Sequence, residues 1–376
     1  MIYLDNAATA FPKAPGVARE TIRCIQEMGG SMGRGTYAAA TKNALKALSV
    51  REALCILTGM TDPACCVLTP GATWSLNMAI LGFVRPGDHV LVSSLEHNAV
   101  QRPLRLIEDA EVEAVPCDAN GLTDPDDVAR RIRPRTRLVV MNHASNVSGI
   151  ILPAREIGKI CADRGVRFLL DVSQTAGHLD LSDIPADAFA IPGHKGLLGP
   201  EGIGALLVRR DFAQALRPVV AGGTGSLSDS LTQPEFLPDK LEPGTANIPG
   251  IYGLDAALAF LAPHRADVFK HDRALCAGFL GGLRQIRGIR VLGGFDAETR
   301  VAVVSLAFLN VDNASAALRL EQQFGIMTRC GLHCSPAAHR ALQSHPAGAV
   351  RFSFGWANTR EDVERTLRAV EQIAAT

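Results

Sequence analysis

Gly193-His194-Lys195-Gly196 follows a short apolar run, Ala188–Ile191. A lysine at such an edge becomes a nucleophile towards a carbonyl when its surroundings lower its pKa, and an imine to an aldehyde is the usual product. Taken alone, Lys195 reads better as a solvated surface residue. Asp171 closes Phe168-Leu169-Leu170-Asp171, and Gln174 follows in the next turn. A carboxylate at a strand's C-terminal end can pair with a protonated pyridine nitrogen. An N-cap for the next helix is the other reading of Asp171. Thr69-Pro70-Gly71-Ala72-Thr73 opens onto a helical pattern from Ser75. Backbone N–H groups at such a helix start suit a phosphate, with the Thr73 hydroxyl beside them. Many turns of this composition only begin a helix.

Further along, His97 in Glu96-His97-Asn98 follows the apolar run His89–Ser93. It is placed to stack on an aromatic ring or move protons, or to be a hydrogen-bonded loop residue. Asn146 sits at the equivalent point after Leu138–Met141, as a donor to a ligand oxygen or as a turn residue. Arg329-Cys330-Gly331-Leu332-His333-Cys334-Ser335-Pro336, with His339 beyond, sets thiols beside histidines. That arrangement suits a reactive thiolate, and a buried structural thiol is the alternative for Cys330. The spacing is poor for zinc, so no metal is expected. Arg351 interrupts the apolar run Val350–Phe354. It calls for a substrate carboxylate or an internal salt bridge.

These residues need a frame. His89–Ser93, Leu138–Met141 and Phe168–Asp171 read as buried strands. Helical spacing covers Ser75–Leu81, Asp124–Arg133 and Pro153–Asp163. Alternation of the two implies a mainly parallel sheet with helices on both faces. Residues 221–250 have neither period and read as irregular. A helix-rich stretch from Ile251 to about Arg287, a strand at Arg300–Leu306, a helix at Ala314–Phe324, a strand at Val350–Phe354 and a last helix suggest a smaller α+β unit. The expected division is a large domain over 15–250 and a small one made of 1–14 with 251–376.

Composition narrows the classes. The 376 residues suit two or three domains, at roughly 100–200 residues each. Lys+Arg and Asp+Glu are both 38, so the formal net charge is zero. That argues against binding nucleic acid or an anionic membrane by bulk electrostatics. No uncharged apolar run approaches the roughly 18–20 residues of a spanning helix. Asp5 near the start, with no basic stretch ahead of an apolar run, does not suit a signal peptide. The nine cysteines are an odd number and scattered, which implies reduced thiols and a cytoplasmic location. No G-x-x-x-x-G-K-[ST] occurs, and no G-x-G-x-x-G lies between a strand and a helix.

In order, the motifs resemble the class V aminotransferase superfamily of pyridoxal phosphate enzymes. Within it they resemble the cysteine desulfurases and selenocysteine lyases. The match runs from Tyr3-Leu-Asp-Asn-Ala-Ala-Thr9 through Gly71-Ala-Thr73, Glu96-His-Asn98, Ser145-Asn-Val-Ser-Gly149 and Asp171-Val-Ser-Gln174. It continues through Gly193-His-Lys195, Gly222-Gly-Thr-Gly225, Glu242-Pro-Gly-Thr-Ala-Asn247, His333-Cys334 and Arg351.

The resemblance implies a fold-type I architecture with a seven-stranded sheet. Lys195 would hold pyridoxal 5'-phosphate covalently, and Asp171 would keep its ring nitrogen protonated. His97 would stack on the ring, with Gln174 and Asn146 flanking the ring hydroxyl and the substrate. Ala72, Thr73, Ser173 and His194 would hold the phosphate. Thr224 would reach the phosphate of a second subunit, which implies a homodimer. Arg351 would take the substrate carboxylate, and Cys334, on a mobile loop, would accept sulfur from L-cysteine as a persulfide. The compact segment between Met327 and His339 resembles the short-loop type, which relies on a sulfur-accepting protein. Cys330 and Ser335 depart from the family pattern, and Cys330 is left as a resolving or an inert thiol. The rival readings are a selenocysteine lyase, a transaminase of a small amino acid, a thiol hydrolase using Cys334 with His333 or His339, and a non-catalytic sulfur carrier.

Overall fold

The computed structural model describes residues 1–32 and 35–375. The chain enters through β1 (Ile2–Tyr3) and two helices, α1 (Val17–Glu27) and α2 (Ala38–Thr58). Strands and helices then alternate: β2 (Cys66–Thr69), α3 (Ala72–Phe83), β3 (His89–Ser93), α4 (Asn98–Leu104), β4 (Glu111–Val115), α5 (Pro125–Arg131). The series ends with β5 (Thr136–Asn142), α6 (Ala154–Asp163), β6 (Arg167–Asp171), β7 (Ala188–Pro192), β8 (Gly204–Val208) and α7 (Arg210–Ala215). These strands form one seven-stranded sheet in the order β2-β8-β7-β6-β5-β3-β4, and β8 alone runs against its neighbours.

The sheet is covered on both sides, as parallel strands require. Alternate residues of one strand enter different cores: Val90 and Val92 pack in one, Leu91 in the other. Leu138 and Val140 likewise face away from Val139 and Met141. With both faces buried, the C-terminal strand edge is where polar side chains reach a crevice. The three strands expected from the sequence lie in β3, β5 and β6. The strands β2, β4 and β8 were not anticipated. β4, Glu-Val-Glu-Ala-Val, is an edge strand whose two glutamates hide its apolar pattern.

Residues between α7 and α8 (Ile248–Leu283) form no strand or helix, in line with the expected irregular stretch. α8 packs against α1 and α2, and also against α11 (Arg360–Ala374). After it come β9 (Ile289–Val291), β10 (Val303–Phe308), α9 (Asn313–Phe324), β11 (Ile326–Met327), β12 (Arg329–Gly331), α10 (Pro336–Ala341) and β13 (Ala349–Ser353). A four-stranded sheet in the order β12-β13-β10-β9 shares an apolar core with α8, α9 and α11. β1 pairs in parallel with β11, so the chain start is stitched beside this second sheet. The strand expected from Arg300 begins at Val303. Arg300 is fully buried and its guanidinium donates to the carbonyls of Ser148, Gly293, Gly294 and Asp296. The backbone on either side of it bonds to Gly149 and Ile151 instead of to β13. Among the described residues no helix is long and apolar enough to cross a membrane.

Candidate functional site

The C-terminal ends of β2, β3, β5, β6 and β7 open into one cleft of about 740 Å³, its mouth included. Ala72, Thr73, His97 and Asn146 line it, with Asp171, Ser173, Gln174, His194 and Lys195. Nine of the expected residues are thus brought together from segments more than a hundred residues apart.

Lys195 lies in the loop after β7, at the cleft floor. Surrounding protein pushes its amine down to about 8; Asp171 opposes the shift, while the guanidiniums of Arg351 and Arg329 add to it. An amine with that pKa is partly neutral at physiological pH and is a competent nucleophile. Asp171, the last residue of β6, is 5 % exposed, and its Oδ1 accepts the Ser173 N–H at 2.9 Å. His97 caps α4: its Nδ1 accepts the Ala99 N–H at 3.0 Å. That bond leaves the proton on Nε2 and fixes the ring orientation. Burial pushes His97 down to about 4, with Lys195, Arg329 and Arg351 adding to the effect and Asp171 opposing it. Gln174 donates to the Ala7 carbonyl at 3.1 Å, which ties the cleft to the chain start.

The opposite wall is the start of α3. Gly71 occupies the N-cap with φ +150°, and no side chain caps the helix. The Gly71 backbone lies so close to β8 that a Cβ on Gly204 would meet Gly71 Cα at 2.8 Å. The first-turn amides of Ala72 and Thr73 therefore face the cleft with the positive end of the helix dipole. His194 adds a buried Nδ1 without a partner. Burial, then Lys195 and Lys13, push that ring down to about 4. An amine, a carboxylate, a flat imidazole and a nest of open N–H donors suit a ligand carrying an aldehyde, a basic ring nitrogen, an aromatic face and a phosphate.

Behind His97 lies Glu96, fully buried, a site residue that sequence reading quoted but gave no role. Its Oε1 accepts the Ser93 hydroxyl and, at 2.8 Å, the Asn142 N–H, while Oε2 has no partner. Burial raises it to about 8, against the pull of those hydrogen bonds. A neutral carboxyl there leaves Asp171 as the closest negative charge to the cleft.

Cys334 approaches from the second sheet, on a loop tied by hydrogen bonds to the cleft wall. His333 and Cys334 both adopt left-handed backbone, φ +50° and +56°. Asn146 brackets the cysteine: its Nδ2 donates to the His333 carbonyl at 2.8 Å, and its Oδ1 accepts the Ser335 hydroxyl at 2.7 Å. The Asn98 N–H donates to the Cys334 carbonyl at 2.8 Å. Ser335, which departs from the family pattern, is therefore part of the clamp. The thiol itself is exposed, with an Arg329 Nη2 at 3.9 Å. Cys330, on the same short strand β12, packs against the core of the second sheet. Side chains alternate along a strand, so Cys330 and Arg329 face opposite ways, which argues against Cys330 as a resolving thiol.

Arg351, in β13, is 2 % exposed. Its Nη2 donates to Asp5 Oδ1 at 2.7 Å and its Nη1 to the Asn146 carbonyl at 3.2 Å, while Nε is buried without a partner. The internal salt bridge weighed from sequence is thus present. Neither Arg351 nor Cys334 lines the cleft as bounded above, though Asn146 bonds to Arg351 and to the residues on either side of Cys334. Thr224 is also outside it; its hydroxyl pairs with the Ser226 hydroxyl at 2.8 Å. His333 and His339 spend their ring nitrogens on each other and on Arg329 and Ser344, so neither is a base beside Cys334. A Cys–His hydrolase is disfavoured for that reason.

Comparison with known proteins fits this geometry. A model of the aminotransferase class-V family matches residues 2–366. The chain is 32 % identical to a probable cysteine desulfurase of Methanothermobacter thermautotrophicus, over 99 % of this chain and 94 % of that protein. It is 30 % identical to cysteine desulfurase CsdA of Escherichia coli, over 99 % and 93 %. Among solved structures, the apo cysteine desulfurase of Thermococcus onnurineus superimposes with a TM-score of 0.91 at 28 % identity, covering 100 % of this chain and 94 % of that one. The CsdA structure from Escherichia coli gives 0.87 at 29 % identity, covering 99 % and 94 %.

Proposed function

Because the chain belongs to the aminotransferase class-V family, we infer that it is a pyridoxal phosphate-dependent cysteine desulfurase. It would convert L-cysteine to L-alanine and carry the sulfur on Cys334. The observation that carries this reading is that Asn146 joins two otherwise separate things: it lines the cleft of Lys195 and it brackets Cys334.

Pyridoxal phosphate, when bound, supplies an electron sink that lets an amino acid lose its α-proton. Lys195 holds the cofactor through its amine and moves the α-proton of the substrate. Asp171 keeps a proton on the ring nitrogen. His97 would stack on the ring, with Gln174 and Asn146 flanking its hydroxyl and the substrate. The amides of Ala72 and Thr73, with Ser173 and His194, hold the phosphate. Thr224 of a second copy completes that cradle in a homodimer. Arg351 orients the substrate carboxylate, with Asp5 fixing its guanidinium.

Cys334 then attacks as the thiolate. Its sulfur forms a bond to the substrate sulfur while the substrate's carbon–sulfur bond breaks, and the electron pair stays with the carbon fragment. Protonation of that fragment yields alanine, so L-cysteine and an enzyme thiol become alanine and an enzyme persulfide. The persulfide passes to a thiol, which we take to be on an acceptor protein. In this scheme residues 15–250 hold the cofactor, while 1–14 and 251–376 carry the thiol and the carboxylate site. A cytoplasmic location suits nine cysteines that form no disulfide.

Borohydride reduction of the yellow holoenzyme tests the cofactor half, and is expected to leave the phosphopyridoxyl group on the Lys195 peptide by mass spectrometry. A label on any other lysine would contradict it. L-Selenocysteine shares the carboxylate and amine handles, and relative turnover on the two amino acids ranks them.

A further inference from the structure

We propose that His339 and Ser344 are positioning residues for Cys334 and act on it through His333. The inference rests on the desulfurase reading above. His333, His339 and Ser344 are all buried, at 4 %, 0 % and 6 % exposure. They form one unbroken hydrogen-bonded chain. His333 Nε2 lies 3.1 Å from the Arg329 carbonyl, His333 Nδ1 lies 3.1 Å from His339 Nε2, and His339 Nδ1 lies 2.7 Å from the Ser344 hydroxyl.

With both rings neutral, one order of protons satisfies this chain. A carbonyl only accepts, so His333 Nε2 carries its proton and Nδ1 must accept. His339 Nε2 is then the donor, and its Nδ1 accepts the Ser344 hydroxyl. Burial, then Arg351, push His333 down to about 3 against the opposing hydrogen bond to the Arg329 carbonyl; burial and His345 push His339 down to about 4. Both rings are therefore neutral at working pH.

The chain has a mechanical purpose. His333 and Cys334 are consecutive non-glycine residues in left-handed backbone. Each pays a steric penalty that persists only where surroundings over-determine the conformation. Asn146, Ser335 and Asn98 hold the backbone of this turn from the cleft side. The His333 ring is held separately, at both nitrogens. The segment that follows also folds around His339, whose carbonyl accepts the Ser344 and His345 amides at 2.7 and 3.1 Å. None of these histidine and serine hydrogen bonds reaches the Cys334 thiol, so they set where the sulfur sits and take no proton from it.

The test measures alanine release from L-cysteine with a reductant, using holoenzyme of wild type, His339→Leu, His339→Gln and Ser344→Ala. A misplaced nucleophile typically costs about 10²-fold. His339→Leu is expected to lower kcat by roughly 10–100-fold, with KM within about twofold because substrate binding is untouched. The visible absorption change on mixing with L-cysteine should persist. His339→Gln, whose side-chain amide can donate to His333 Nδ1, should recover kcat to within about fivefold of wild type. Ser344→Ala should lower kcat by a few-fold, and it remains decisive should His339→Leu fail to fold. Equal kcat in all four proteins, equal loss in the Leu and Gln variants, or a loss confined to KM overturns the proposal. No alanine from wild type overturns the desulfurase reading beneath it.

Discussion

Lys195 and Cys334 would meet the same substrate, yet the molecule positions them by different means. Asp171 ends a buried parallel strand, Lys195 and His97 sit a few residues beyond two others, and their places follow from the sheet. The cores on both faces fix those strands, so the lysine half is rigid for the same reason the domain is folded. Cys334 follows a three-residue strand at a sheet edge and adopts a conformation its own backbone disfavours. Its half is held by individual hydrogen bonds from Asn146, Asn98 and the His333–His339 pair. Apolar burial places the chemistry that stays fixed to the cofactor. Discrete polar bonds place the group proposed to take sulfur and give it up.

Substitutions should separate the halves. Lys195→Ala removes the proposed anchor and proton carrier together, and is expected to cut alanine release by at least about 10³-fold. The pale colour of that variant, with Cys334 still alkylated by iodoacetamide at the wild-type rate, would show that the halves are independent. Asn146→Ala should cut kcat by about 10²-fold while leaving cofactor absorbance intact, because it frees the His333 carbonyl and the Ser335 hydroxyl. Loss of the cofactor in Asn146→Ala would mean that the halves are not separable. Asp5→Asn strips the counter-charge from buried Arg351 and should lower unfolding free energy by about 3 kcal/mol, read by denaturant titration. An unchanged midpoint would contradict the pairing.

Acid gives the smallest and most general contrast. His97, His143, His178, His194 and His339 are pushed down to about 4, and His333 to about 3, mainly by burial. Between about 6.5 and 4 the unfolded chain binds protons that the folded one does not, so stability falls as pH falls through that window. Glu96, raised to about 8, works the other way between about 8 and its ordinary value. Asp272, raised by burial, works the same way as Glu96, and six histidines against these two carboxyls leave net acid destabilisation. Thermal melts should therefore drop from pH 6.5 to 4, and His339→Gln should remove about one proton from the slope. A flat profile would contradict the buried, neutral histidines.

The same contrast decides what could be read from sequence. Lys195, Asp171, His97 and Asn146 were legible because each trails an apolar run whose strand character is local. The helix start at Gly71 was legible by its small residues. Arg351 was recognised as needing a carboxylate, but its partner Asp5 lies 346 positions away and no local pattern links them. Ser335 stood out as a departure and proved to be half of the Asn146 clamp. The His333–His339 pair invited a metal reading, since spacing says nothing about which ring nitrogens are already taken. Thr224, in a stretch without regular structure, has no role that a single chain reveals.

The most direct test is alanine release from L-cysteine, in the presence of a reductant, by wild type and Cys334→Ala side by side. The account predicts turnover by wild type and none by the variant, with the same cofactor absorbance in both. Equal turnover by the two proteins would show that Cys334 is not the sulfur acceptor. A yellow wild-type protein that releases no alanine would show that cysteine is not its substrate.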